Sequence, residues 1–339
     1  MDNKINIAVV GATGEVGKTM LTILAERKFP AENIHALASD ESAGDVATCG
    51  DHELVVQALS DFDFSQVDIA LFSAGGEISK QYAPIAAENN CVVIDNTSAF
   101  RLDDDVPLII PEINEERIID FRKRNIIANP NCSTIQMLVA LNPIHVSVGI
   151  EAIHVSTYQA VSGAGRAAIS KLAYETTQLI AGQADEDSVD ISSEQIAFNV
   201  LPCIGELTES GFSQEEMKMI QETHKIWQDD SIQVSASCVR VPVFFGHAEA
   251  IHVQTSDPMT VEEATTLLKD APGVQLLPAD EWPTPISHGV GTDDVAVGRL
   301  RNDLNNPHGF NCWTVSDNVR KGAALNAIQI AECLIKDHF

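Results

Sequence analysis

The sequence predicts an α/β protein in two parts: a doubly wound, parallel sheet, then an α+β region on a largely antiparallel sheet. Three observations lead there. Short, continuously apolar runs (Ile5–Val10, Val67–Phe72, Cys91–Asp95) alternate with helical spacing in the first 130 residues, the pattern of parallel strands covered on both faces. A glycine-rich turn follows the first of these runs. Beyond residue 150, the segments Ala152–Tyr158, Ile232–Ser237 and Ile251–Thr255 alternate in polarity, as half-exposed strands do.

In chain order, Ile5–Val10 reads as a buried strand leading into Gly11-Ala12-Thr13-Gly14-Glu15-Val16-Gly17. Lys18–Arg27 then carries helical spacing at Met20, Leu21, Leu24 and Ala25. Ile34–Ala38 is a second strand, and Val67–Phe72 a third, ending at Ser73-Ala74-Gly75-Gly76. Tyr82–Ala87 is helical and Cys91–Asp95 the strand after it. Near the end, Val319–Ile335 is an Ala-rich apolar helix, expected to return to the first part. The predicted division is 1–131 with 317–339 as one domain and 132–316 as the other.

A chain of 339 residues is long enough for two cores, and 45% hydrophobic with 21% charged residues is ordinary for a soluble globular protein. No segment has the length and apolarity to span a bilayer, and Met1–Lys4 lacks the layout of a signal peptide. Seven cysteines scattered without a CxxC pair argue against a disulfide scaffold or a metal site and for a cytoplasmic protein. A net charge of −28, from 49 acids and 21 bases, argues against nucleic-acid binding. The acids are spread along the chain, as in Asp103–Asp105 and Asp185–Asp187, and read as a solvated surface.

The turn Gly11–Gly17, on the first strand–helix junction, suits a pyrophosphate resting on a helix N-terminus. After the second strand, Ser39 and Ser42 could donate to a 2′-phosphate, whereas Asp40 and Glu41 would repel it, a mixed signal between NADP and NAD. The small residues from Ser73 through Gly75 would let a nucleotide lie close to the next strand.

Cys132 stands in Asn129-Pro130-Asn131-Cys132-Ser133-Thr134-Ile135, where an extended segment gives way to a helix. Unpaired amides and the helix dipole there favour a thiolate, and Asn131 could help hold an oxyanion. Taken alone, such a cysteine is more often a packing residue. Arg240 and His247, in Arg240–His247, offer a bidentate clamp for a carboxylate and a general acid/base. Arg101 ends a polar loop and could bind phosphate. Glu215 and Lys218 share a helix face at i, i+3, with a solvated ion pair as the plainer reading.

These strings together resemble the aspartate-semialdehyde dehydrogenase family over essentially the whole chain. They are Gly11–Gly17, Asp95–Arg101, Val106–Asn114, Ala128–Gln136, Thr157–Gly165, Ser237–Glu249, Val297–Arg301 and Asp317–Ala324. The resemblance implies a Rossmann-like first domain and a catalytic and dimerisation second domain. It implies a phosphorylating aldehyde dehydrogenase that interconverts L-4-aspartyl phosphate and L-aspartate 4-semialdehyde, on the route to lysine, threonine and methionine. By the same resemblance Cys132 is the nucleophile, with Asn131 beside it, Gln159 lies near the reacting carbonyl, and His247 is the acid/base. Arg240 binds the substrate carboxylate, Arg101 and Lys218 the phosphate, and Glu215 the amino group or Lys218. Ser162, Gly163 and Gly165, with Asn318, lie near the nicotinamide. NADP is the family's usual cofactor, although many bacterial members carry Arg where Glu41 stands here, so NAD is the alternative. Homodimers are implied, with tetramers in some members, and no metal. N-acetyl-glutamyl-phosphate reductase is the nearest enzymatic rival.

Overall fold

The computed structural model describes residues 5–182 and 194–338. Met1–Lys4, the acidic run Asp185–Asp187 and Phe339 lie outside the described residues. The chain divides into two compact units: the first runs to Cys132 and takes in Lys225–Trp227 and the segment from Gly322, and the second holds Ser133–His224 and Gln228–Lys321.

The first unit is built on β1 (Ile5–Val10), β2 (Ala31–Ala38), β5 (Gln57–Ala58), β6 (Ile69–Phe72), β7 (Val92–Asp95) and β8 (Ile126–Ala128), in the order β5-β2-β1-β6-β7-β8. Every pairing is parallel. A separate antiparallel hairpin, β3 (Val46–Cys49) with β4 (His52–Val55), lies between β2 and β5 in the chain. Strands β6 and β7 are buried at every position, which is why they read as continuous apolar runs. Helix α1 (Glu15–Glu26) buries Met20, Leu21, Ile23 and Leu24 in the same core as Leu325, Ile328, Ile330 and Leu334 of the terminal helix. Each such side chain contributes roughly 1.5–3 kcal/mol of transfer free energy. Chain order reverses between β1 and β6, and a doubly wound sheet binds ligands at such a switch point, beyond the carboxyl ends of the strands.

The remaining helices are α2 (Gly76–Glu88), α3 (Pro111–Asn114), α4 (Cys132–Val148), α5 (Arg166–Ile180), α6 (Gln214–Trp227), α7 (Val261–Lys269) and α8 (Leu325–His338). The terminal helix differs from its sequence reading: Arg320–Ala324 forms a π turn before the α-helix starts at Leu325 and runs to His338. No helix among the described residues is long and apolar enough to cross a membrane.

The second unit holds β9 (Ile150–Gln159), β10 (Gln233–Arg240), β11 (His247–Thr255), β12 (Val274–Leu276), β13 (Val295–Asn302) and β14 (Gly309–Ser316), ordered β10-β9-β11-β14-β13-β12. The three inner pairings are antiparallel and the two outer ones, β10 with β9 and β12 with β13, parallel. The sheet is therefore mixed, since neighbours that far apart in sequence join it with either polarity. On β9, Ile153, Val155, Thr157 and Gln159 are buried while His154 and Tyr158 face outward. That period of two brings polar side chains inward at the ends of β9, β10 and β11.

Candidate active site

In the first unit, the turn after β1 has the shape a dinucleotide needs. Gly11 has φ +88° and donates its N–H to Leu37 O at 2.8 Å, and a Cβ there would meet Ser73 at 2.9 Å. A Cβ on Gly17 would stand 2.1 Å from Gly11 O, so the helix can approach the turn only with glycine at that position. Gly14 is the N-cap of α1 and makes no side-chain cap to the helix N-terminus. The loop after β6 lies alongside, with Ser73 N–H on Val10 O at 2.9 Å and Gly75 at φ +100° capping α2. Ala12, Thr13, Glu15 and Val16 complete the turn. These features fit a dinucleotide. Ser39 caps the short 3₁₀ turn Asp40–Ser42, where Asp40 Oδ1 accepts from Ser60 Oγ at 2.7 Å.

Arg101, buried at 7% exposure, donates Nε to Asn129 O and Nη2 to Asn96 O, both at 2.9 Å. It thus holds the segment that leads into Cys132. Asn129 is tied further by Asn326 Nδ2 at 2.7 Å. Asn131 is buried, and Cys132, half-buried, is the first residue of α4. Negative charge is favoured at that end of a helix. Burial raises the thiols of Cys49, Cys91, Cys238, Cys312 and Cys333 instead.

The second unit brings together most of the residues named beyond Cys132. Arg240, at the end of β10, pairs with Gln159, at the end of β9, and His247 opens β11 one position beyond the Ala248–Tyr158 pair. The Ala160 peptide lies between the cation and the imidazole: Arg240 Nη1 donates to Ala160 O at 2.6 Å, and Ala160 N–H donates to His247 Nδ1 at 3.0 Å. A nitrogen that accepts an amide N–H has no proton of its own, so the neutral ring carries its proton on Nε2. His247 is 1% exposed and Nε2 has no hydrogen-bond partner within the protein. Its pKa is pushed down to about 3, first by burial and then by Arg240. The neutral ring can therefore donate from Nε2, while its acceptor nitrogen, Nδ1, is taken by the Ala160 N–H.

Gly163 packs closely against both Arg240 and His247. A Cβ there would lie 3.2 Å from Arg240 Nη1 and 3.3 Å from His247 Nε2. Asn318 fixes the loops on either side, accepting Gly246 N–H at 2.9 Å and donating to Ser162 Oγ at 3.0 Å. Gly165, at φ +83°, caps α5. Gly163→Ala is expected to lower kcat/KM about ten- to a hundredfold by crowding the reacting atoms. Gly163 itself does not require a positive φ, so Tm should change little; steady-state kinetics with a thermal melt checks both.

A second polar chain starts beside Cys132. Gln159 Nε2 donates to Ser133 Oγ and, at 3.2 Å, to Glu215 Oε1, while Lys218 Nζ donates to Glu215 Oε2 at 3.0 Å. A capping box sets this geometry: Ser213 Oγ accepts from Glu216 N–H, and Glu216 Oε2 accepts from Ser213 N–H at 2.7 Å. Glu216 Oε1 also takes Cys238 N–H at 3.0 Å, pinning α6 to β10. Sequence reading missed Ser133, Gln136, Glu249 and Thr314. The signal for Glu249 was present, since it lies two residues beyond His247 on the same strand face.

Two family profiles match the chain: the NAD-binding domain of semialdehyde dehydrogenase over residues 6–121 and the semialdehyde dehydrogenase dimerisation domain over 141–321. The aspartate-semialdehyde dehydrogenase of Shewanella violacea is 54% identical over 340 residues, and aspartate-semialdehyde dehydrogenase 2 of Vibrio cholerae 53% over 339, each covering the full length of both chains. The crystal structure of the Vibrio cholerae aspartate semialdehyde dehydrogenase II complexed with ASA matches with a TM-score of 0.97 at 53% identity, over 99% of this chain and 100% of that one. The Candida albicans aspartate semialdehyde dehydrogenase with NADP matches at 0.75 and 25%, over 98% and 99%. Its glycine turn, its cysteine at the start of α4 and its Arg–Gln–His strand ends stand in full-length similarity to these enzymes, and the chain belongs to the aspartate-semialdehyde dehydrogenase family.

Proposed function

We propose that the chain catalyses the NADP-dependent interconversion of L-4-aspartyl phosphate and L-aspartate 4-semialdehyde plus phosphate, through a thioester on Cys132. The buried, partnerless His247 Nε2 beside Arg240, with Gly163 packed against both, carries the reading: a fixed neutral donor and a fixed cation are what a carbonyl oxygen and a carboxylate need.

In the biosynthetic direction Cys132 Sγ attacks the acyl carbon and phosphate leaves, forming the thioester. The Gly11–Gly17 turn, the Ser73–Gly75 loop and Ser162–Gly165 with Asn318 would hold a nicotinamide, which would supply the hydride in this direction and accept it in the other. The tetrahedral oxygen is held by His247 Nε2–H, with Asn131 as a further amide donor and Gln159, its Nε2 already given to Ser133 and Glu215, lying near the reacting carbonyl, and collapse of the hemithioacetal frees the aldehyde and the Cys132 thiolate. Arg240 clamps the substrate carboxylate, Arg101 and Lys218 bind the phosphate, and Glu215 takes the ammonium while orienting Lys218. A thiol suits both halves of the cycle, because it attacks well when ionised and leaves well.

Ser39 and Ser42 are our candidates for the 2′-phosphate. Asp40 is turned to Ser60, which lessens its repulsion of that group. NAD is the alternative. The dimerisation domain leads us to assign a homodimer. Phosphate-dependent reduction of NADP⁺ and of NAD⁺ by aspartate semialdehyde, followed by nicotinamide absorbance, tests substrate, reaction and cofactor. Turnover that needs phosphate and prefers NADP⁺ is expected, and no phosphate-dependent turnover with either cofactor would overturn the proposal. Arg240→Lys should raise KM for the semialdehyde about tenfold or more, since an ammonium cannot make the bidentate fork.

A further inference from the structure

We propose that Glu249 is a positioning residue for the helix that carries Cys132, acting through Thr314 and Gln136. The proposal rests on Cys132 as nucleophile and leaves the substrate open. Glu249 is fully buried in the middle of the sheet, paired with Thr157 of β9 on one side and Thr314 of β14 on the other. Thr314 Oγ1 donates to Glu249 Oε2 at 3.3 Å, and Gln136 Nε2 donates to Thr314 Oγ1 at 2.8 Å. Ser316 Oγ closes the chain on Gln136 Oε1 at 2.7 Å. Gln136 follows Cys132 by four residues in α4, so both lie on one face of that helix, a turn apart.

The direction of these bonds is what makes residue 249 matter. Thr314 has one hydroxyl proton, and its lone pair already takes the Gln136 N–H. The proton therefore points at an acceptor on β11, which Glu249 Oε2 supplies. Without that acceptor the hydroxyl rotates to find another, and the Gln136 amide loses its seat. Glu249 Oε1 is buried with no hydrogen-bond partner, and burial raises the carboxyl well above the ordinary carboxylate range. A buried carboxyl that reaches only one neighbour is a poor way to fill an apolar position, and its use here is to orient that neighbour.

The test is alkylation of Cys132 by iodoacetamide without substrate, in a Cys203→Ser background. That replacement removes the exposed thiol, and Cys333, half-buried like Cys132, is changed to Ser in the same background, while the other four are buried. Glu249→Gln keeps an acceptor for Thr314 and should alkylate and turn over within about threefold of the parent. Glu249→Leu keeps the volume without the acceptor and should slow alkylation about tenfold, with kcat falling in step and KM steady. A folded Leu variant that alkylates at the parent rate overturns the proposal, as does a Gln variant that loses as much as Leu. If the Leu variant does not fold, Thr314→Val breaks the same chain at its middle and must give the same tenfold loss. A parent inactive toward aspartate semialdehyde, with the alkylation differences intact, overturns the substrate reading and supports the positioning role.

Discussion

Cys132→Ser is expected to lower kcat at least about 10⁴-fold, about 5 kcal/mol or more of lost transition-state stabilisation, with Tm almost unchanged. Two effects combine. At neutral pH a serine hydroxyl stays protonated where a thiol at the start of a helix can ionise. An oxygen ester, once formed, is also a poorer acceptor of hydride and of phosphate than a thioester. Cys132 is half-buried and the exchange of sulfur for oxygen leaves no cavity, so the fold loses little. Steady-state kinetics beside a thermal melt separates the two. A serine variant within tenfold of the parent would remove the nucleophile from the mechanism, whatever the substrate.

The parallel sheet of the first unit was legible because β6 and β7 are buried on both faces and must therefore be apolar throughout. Strand β5, two residues long, and the hairpin β3–β4, with Val46 and Val55 exposed, leave no such trace. The mixed sheet was legible as alternation, but the parallel outer pairings were not, since β10 joins β9 from far along the chain and the three residues of β12 leave little pattern. The site divides in the same way. Cys132, Arg240 and His247 stand in short strings whose chemistry can be read locally. Gln136 meets Thr314 across 178 residues, and only the strand register shows that Thr314 then meets Glu249. The roles open to His247 narrowed for a related reason: that Nδ1 accepts the Ala160 N–H follows from β9 ending beside the start of β11.

His247→Asn is expected to cost about 10²- to 10³-fold in kcat, the range for losing one fixed donor to a developing oxyanion. The pH dependence distinguishes this role from that of a base titrating near neutrality. With its pKa pushed down to about 3, His247 stays neutral through the working range, so parent and variant should share one shape of kcat–pH profile. A limb near neutrality in the parent that the variant lacks would make His247 a titrating base. The same shift acts on stability. An unfolded histidine takes up a proton below about pH 6.5, whereas the folded one stays neutral to about 3. Stability from this group is therefore full above that unfolded pKa and is lost as pH falls through the window, by up to about 1.4 kcal/mol per pH unit. Urea midpoints at neutral pH and at mildly acid pH should converge in His247→Asn and separate in the parent. A parent with no such separation would mean that the imidazolium is accommodated in the fold. Its proton could then come from the thiol after all, and the donor role assigned through Ala160 would have to be exchanged for that of a base.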